Sequence, residues 1–401
     1  MVSTVSIALL LACTISLVKG KPFCKIDEEN QRGLVCVAGN GEYNLQRGFM
    51  YDNNNITSII LRDCRITDIE NHSFIGFPNL RHLDLSLNGI KFMNLGALEG
   101  SIHVIYLNLS HNMITNLPQG LFDQKPNVEV LDLSSNRLVA LEMGIFDSMP
   151  KLRHVDLSGN PLIGKNLNPY IFDSCIQISF MDFSRIDMNG TPDNMLHAFS
   201  AIHYLNLDRC LLTEVPKFAT RINLKTLKHI TLSTNQIIKI DDPMTFVNLE
   251  NIEIINLTDN IIESINPNVF KSLKKLNKVV LRNNRLTILP DGLFSYLPKL
   301  ISIDLASNLI ENAPINTFRR TPLKNLNLSR NRLIYLEENF CLKLNNSGAQ
   351  IQKFFFDGNP LRCDSLRSIL KEVKKFNLEY NGAAYNGVNP LCVTEENPAA
   401  S

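Results

Sequence analysis

Short apolar alternations recur along the chain at nearly constant intervals. VLDLSSNRL (Val130–Leu138), HLDLSLNGI (His82–Ile90) and HVDLSGNPL (His154–Leu162) share one pattern: apolar residues alternate, an Asn interrupts them, and one apolar residue resumes. Alignment on L-x-x-L-x-L-x-x-N-x-L gives thirteen copies. Their first apolar positions are Ile56, Leu80, Val104, Val128, Leu152, Ile178, Ile202, Leu227, Ile252, Leu276, Leu300, Leu323 and Ile351. A nearly fixed period of about 24 residues predicts a solenoid. The alternating part predicts a strand with one apolar face. A single repeat cannot bury that face, so stacked repeats build a parallel sheet over a continuous core.

The interrupting Asn turns the chain inward at Asn88, Asn112, Asn136, Asn160, Asn235, Asn260, Asn284, Asn308, Asn331 and Asn359. Buried there, its amide must bond backbone groups of adjacent turns. A second anchor lies six residues before many strands, at Phe74, Phe122, Phe146, Phe172, Phe246, Phe270 and Phe294. This predicts a Phe spine in the outer half of the core. The L-P-x-G-L-F segments, Leu117–Phe122 and Leu289–Phe294, predict turns rather than long helices. Mid-chain the register wavers: the interval from Leu152 to Ile178 is longer than those before it, and Ile186 then Cys210 stand at the Asn position. Two successive losses of the Asn either alter curvature locally or are harmless variants.

This pattern resembles the extracellular leucine-rich-repeat family: ectodomains of the Toll and Slit type and soluble insect leucine-rich-repeat proteins of immunity. The resemblance covers most of the chain after its first residues. It implies an α/β fold, a leucine-rich-repeat solenoid (horseshoe) with a continuous parallel sheet on the concave face and disulfide caps. The expected organisation is a signal peptide over 1–20, an N-terminal cap over 21–52, about thirteen repeats over 53–362 and a C-terminal cap over 363–401.

Cysteine usage bears on the caps. With Cys13 removed alongside the leader, eight cysteines remain. Cys24 and Cys36 bracket a polar segment that looks like the family's N-terminal disulfide cap. In GNPLRCDSLRSILKEVKKF, Asp364 is a candidate helix cap, with Leu366, Ile369, Leu370, Val373 and Phe376 on one side. The family's C-terminal cap commonly carries C-D-C; here Ser365 replaces the second Cys, and the resemblance implies a Cys363–Cys392 bridge. Cys64 and Cys210 occupy the Asn position six repeats apart, about 30 Å at ~4.8 Å per strand, too far to pair with each other. Cys175 takes a core position. Cys341 is either a free buried thiol or the site of an intermolecular bridge, giving a dimer or a disulfide-linked complex.

Charge and composition then narrow the function. A formal net charge of +1 argues against nucleic-acid or polybasic-membrane partners. The opening MVSTVSIALLLACTISLVKG reads as a secretory signal, and no later apolar run is long enough to insert in a membrane. Sequons at Asn55, Asn71, Asn108, Asn189, Asn256, Asn327 and Asn345 fit a secreted glycoprotein. The expected location is extracellular. No catalytic motif is present, and the repeated Asp and Ser of L-D-L-S belong to the strand pattern rather than to acid–base pairs. The chain therefore reads as no enzyme, with no cofactor and no metal site.

The strand position before the second apolar residue varies freely. It runs Ser58, His82, Tyr106, Val130, His154, Phe180, Tyr204, His229, Ile254, Lys278, Ser302, Asn325, Lys353. From the second to the eighth repeat, six of these seven residues are aromatic or imidazole. Arg81, His111, Arg153, Arg185, His203 and Arg209 lie beside them. Aromatic and Arg enrichment is the composition of protein-binding hot spots. The candidate binding residues are His82, Tyr106, His154, Phe180, Arg185, His203, Tyr204, Arg209 and His229. The alternative is a ladder of stacked rings that only supports the sheet. Glycans at Asn108, Asn256 and Asn327 would shade parts of the face and direct contact toward repeats four to eight. Arg153 and Arg185 favour an acidic partner surface. The expected function is a secreted leucine-rich-repeat binding protein, a recognition or decoy molecule of extracellular immunity or signalling, holding an extracellular protein on the concave face. The alternative is a structural extracellular-matrix leucine-rich-repeat protein.

Overall fold

The computed structural model describes residues 21–385 and 392–393. The expected signal peptide and much of the tail beyond the C-terminal helix lie outside the described residues. The protein is a parallel-sheet solenoid of stacked coils. It divides into two compact units, Met1–Met181 and Asp182–Ser401.

A three-residue strand stands at each of the thirteen aligned positions. Within the first unit, Ser58–Ile60, His82–Asp84, Tyr106–Asn108, Val130–Asp132 and His154–Asp156 pair in parallel, each residue facing its equivalent one repeat on. The antiparallel hairpin Phe23–Ile26 with Gly33–Val37 closes the free edge, pairing Gly33–Val37 to Ser58–Ile60. The Cys24–Cys36 disulfide joins its two strands. Within the second unit the same parallel register runs from Tyr204–Asn206 to Lys353–Phe355.

Alternation sets the layers. The middle strand residue is buried throughout, as at Leu83, Leu131, Ile230 and Ile303, while its neighbours stay at the opposite face. Opposite the strands, Phe122, Phe146 and Phe172 stack at 6.3 and 5.4 Å, and Phe246, Phe270, Phe294 and Phe318 at 6.0, 5.8 and 6.0 Å. Phe318 extends the spine past Phe294 although it stands five residues before its repeat, not six.

Turn chemistry explains the rest of the repeat. Asn136 is typical: its Nδ2 donates to the carbonyls of Leu109 (2.9 Å) and Leu133 (3.0 Å), and its Oδ1 accepts from the Ile114 amide (3.1 Å). The residue before each Asn adopts a left-handed conformation, including Leu87, His111, Thr234 and Arg330. Such residues carry a steric cost of about 1–2 kcal/mol. Their amides are held by the next turn, as in Leu87 N–H to the Ser110 carbonyl (3.0 Å).

Among the described turns the Asn is replaced by Cys64 in the first unit and by Ile186 and Cys210 in the second. Ile186 offers no amide. Cys210 replaces the missing donor: its thiol points at the Phe183 carbonyl (3.2 Å), and its own carbonyl accepts from the Met188 amide (3.0 Å). Cys64, Cys175, Cys210 and Cys341 are all reduced and buried. Burial pushes the Cys175 and Cys210 thiols up to about 12.

The second unit ends in two helices, Phe340–Asn346 and Cys363–Lys375, with Cys363 bridged to Cys392. The longer helix begins at Cys363, so Asp364 stands in its first turn rather than capping it. There its charge complements the helix dipole. Leu366, Ile369 and Val373 are buried, whereas Leu370 and Phe376 are only half so. Ser365 accepts from the Leu336 amide through its hydroxyl (3.0 Å). Cys341 is fully buried in the shorter helix, and its amide donates to the buried Glu372 carboxylate (2.9 Å). An intermolecular bridge through it would require that helix to leave its seat, so burial favours the free thiol. No helix of the described residues is long and apolar enough to cross a membrane.

Candidate binding face

The exposed strand column stands on residues that the core does not need. His82 and Tyr106, equivalent residues of paired strands, stack with ring centroids 4.3 Å apart and planes 3° from parallel. His154 and Phe180 stack at 3.9 Å, also 3° apart. In the second unit Tyr204 and His229 meet edge to face at 6.1 Å. These side chains are half-buried. Beyond His229 the column continues as Ile254, Lys278, Ser302, Asn325 and Lys353, without rings.

The flanking cations divide by position. Arg81, Arg153 and His203 precede their strands and are exposed. Arg153 reaches toward Glu129 at 4.0 Å. His111, Arg185 and Arg209 are exposed but belong to the turns, each at the left-handed residue after its strand. The structure therefore gathers His82, Tyr106, His154 and Phe180 into the column of the first unit and Tyr204 and His229 into that of the second. It sets Arg185 and Arg209 at the turn edge and His203 at the strand entrance.

A second row, of carboxylates and one amide, runs beside the rings. Two residues further along each strand, on the same face, stand Asp84, Asn108, Asp132 and Asp156 in the first unit. One oxygen of each accepts the amide two residues on: Ser86, Ser110, Ser134 and Ser158, at 2.8–2.9 Å. This turn terminates the strand and explains the recurring Asp and Ser. The strand sequons use the same chemistry: Oδ1 of Asn108, Asn256 and Asn327 accepts from both amide and hydroxyl of Ser110, Thr258 and Ser329. Where Thr231 replaces the acid, Asp208 of the preceding turn accepts the Ser233 amide instead (2.8 Å).

The electrostatics follow from burial. Desolvation lowers the His82 pKa, outweighing the opposite pull of Asp84. Desolvation, with Asp84 next, raises the Tyr106 phenol, and the Asp132 carboxylate adds to the rise. Burial, then Asp182 and Asp208, raises Tyr204. Among the described residues no group of three metal-ligating side chains converges. The remaining sequons differ in setting: Asn55, Asn71 and Asn189 are exposed, whereas Asn345 lies in the short helix, its Oδ1 accepting the Ile351 amide (3.0 Å).

A family model for the leucine rich repeat matches residues 54–114, 102–162 and 274–333. No curated protein matches the chain in sequence. Among solved structures, a leucine-rich-repeat protein of Leptospira interrogans superposes with a TM-score of 0.70 at 22% identity, over 88% of this chain and 90% of that one. Toll of Drosophila, solved in complex with Spatzle, gives 0.64 at 20% identity over 89% of this chain but only 52% of Toll. The leucine-rich-repeat domain of APL1 gives 0.58 at 19% identity, over 84% and 90% of the two chains. At these identities the likeness concerns the fold.

Proposed function

We propose that this chain, whose repeats match the leucine rich repeat over residues 54–162 and 274–333, is a secreted recognition or decoy protein that holds an extracellular protein on its strand face. The observation that carries this reading is the row of rings His82, Tyr106, His154 and Phe180, raised on a sheet whose core is complete without them. Rigid half-buried rings supply contact area at low entropic cost, as binding hot spots require. The two disulfides support an oxidising, extracellular setting. Toll, which shares the fold, is described in its complex with Spatzle as a hub of development and innate immunity. That likeness supports a place in extracellular immunity or signalling. Glycans on Asn256 and Asn327 would cover the strand face of the second unit, leaving the ring row of the first as the contact, with Tyr106 open only where Asn108 carries no glycan.

The test is site-specific photocrosslinking of the secreted chain in extracellular fluid. A crosslinker at Tyr106 should capture one discrete protein, and one at Lys271, exposed on the loop beyond Phe270, should not. Capture only from Lys271 would move the binding surface to the loops.

A further inference from the structure

The ring row of the first unit has a step in it. Tyr106, Val130 and His154 are equivalent residues of three successive paired strands. Rings stand at the two outer positions, and a short aliphatic side chain lies between them. The stacking partners of the outer rings are on their far sides: His82 on Tyr106, and Phe180 on His154. With ~4.8 Å per strand, Tyr106 and His154 are separated by about 9.6 Å along the row. One flat group contacting both needs about 7–8 Å, and two would need about 11–12 Å. The step therefore has room for a single planar group lying on Val130.

We infer that this step receives an arginine side chain of the bound protein, its guanidinium lying between Tyr106 and His154 and paired with the Asp132 carboxylate. The inference rests on the proposed function and names the chemistry of the partner at one point of that face. Three observations select arginine. Asp132 follows Val130 by two residues on the same strand and face, with only Oδ1 spent on the Ser134 amide (2.9 Å). Its carboxylate and that of Asp84 both act on the Tyr106 hydroxyl and outweigh the opposing Arg62. Arg153, beside His154 at the opposite end of its strand, leans to Glu129. A neutral aromatic ring would fit the gap but would cover a carboxylate without pairing it, which is costly. A lysine ammonium would pair but has no flat face to fill the gap. A guanidinium does both, stacking on rings and donating in plane to a carboxylate. The acidic partner favoured by Arg153 and Arg185 thus gives way, at this point of the face, to a basic one.

The experiment uses the secreted full chain carrying Ser110→Ala, which removes the Asn108 sequon beside Tyr106 and keeps Asn108 itself, as Ala306 is accommodated at the equivalent position. The probes are blocked pentapeptides, Gly-Gly-X-Gly-Gly, with X arginine, citrulline, lysine or tyrosine, read by saturation-transfer NMR titration. The arginine peptide should bind about tenfold more tightly than the citrulline peptide, which keeps the planar shape and loses the charge. Val130→Phe should abolish that preference by filling the step. It should fold, because Phe180 occupies the same strand position, and its melting curve checks this. Asp132→Asn is made together with Ser134→Ala, because the first change alone would complete a sequon with Ser134. Asn108 and Ala306 show that both residue types are accommodated at these positions. The pair should weaken arginine binding about tenfold, and Ser134→Ala alone should leave it unchanged. Equal binding of arginine and citrulline, a preference for tyrosine, or insensitivity to Val130→Phe overturns the inference. If the Tyr106 crosslink still captures a partner in that case, the binding face stands and only its occupant is wrong. If capture occurs only at Lys271, the face is wrong whatever the peptides do.

Discussion

The two units of this protein share a repeat and differ in what they do with its free positions. In the first, four successive turns carry Asn88, Asn112, Asn136 and Asn160, and the exposed column is built of rings around Val130. In the second, the turns begin with Ile186 and Cys210 before the Asn series resumes at Asn235. The column there fades from Tyr204 and His229 into Ile254, Lys278, Ser302 and Asn325. Middle strand residues are equally buried in both units, so the core imposes no preference between the two columns. The difference teaches that the solenoid constrains one residue in two along each strand. Recognition, where it occurs, must be written in the residues between.

The turns should show the largest contrast. Asn136→Ala strips partners from the Leu109 and Leu133 carbonyls and the Ile114 amide together, and is expected to cost about 3 kcal/mol in chemical denaturation. Cys210→Ala removes one weak thiol donor, and about 1 kcal/mol is expected. Equal losses would mean that the Asn-free turns are as tightly bonded as the rest.

A smaller effect separates the two columns. His154→Ala should weaken binding of the crosslinked partner by about 2 kcal/mol, some thirtyfold. Ser302→Ala should change affinity by less than about 0.5 kcal/mol. Loss of the stack on Phe180 should cost His154→Ala only about 1 kcal/mol of stability. A shifted melting curve with unchanged affinity would leave the ring row as a ladder that stiffens the sheet.

The smallest effect is a pH dependence confined to the first unit. Burial holds His82 below its ordinary value despite Asp84, so the unfolded chain takes up the proton first. Stability is therefore full above the unfolded value of about 6.5 and declines as pH falls through it toward the folded value. His82→Gln should flatten that part of the profile between about pH 7.5 and 5. A profile unchanged by the substitution would show that Asp84 balances the burial.

The repeating fold was legible in the sequence because each of its determinants is local and recurs once per repeat: the strand alternation, the Asn turn and most of the Phe spine. The candidate site was legible as a column, because period-two alternation tells which strand residues face outward. Three features were decided only by the tertiary structure. Left-handed turn residues such as Arg185 and Arg209 leave the strand face, a placement set by bonds to the following turn and marked in sequence only by an occasional Gly or Asn, as at Gly159 and Asn283. The carboxylates of the L-D-L-S consensus were placed on the ring face by alternation, but the bond of one oxygen to the amide two residues on, which leaves the other oxygen, appears only in the structure. The step at Val130 exists only between rings one repeat away on either side. Local sequence sets the period and the face; contact between successive turns decides how side chains one repeat apart meet, because that depends on strand spacing and desolvation that no single repeat contains.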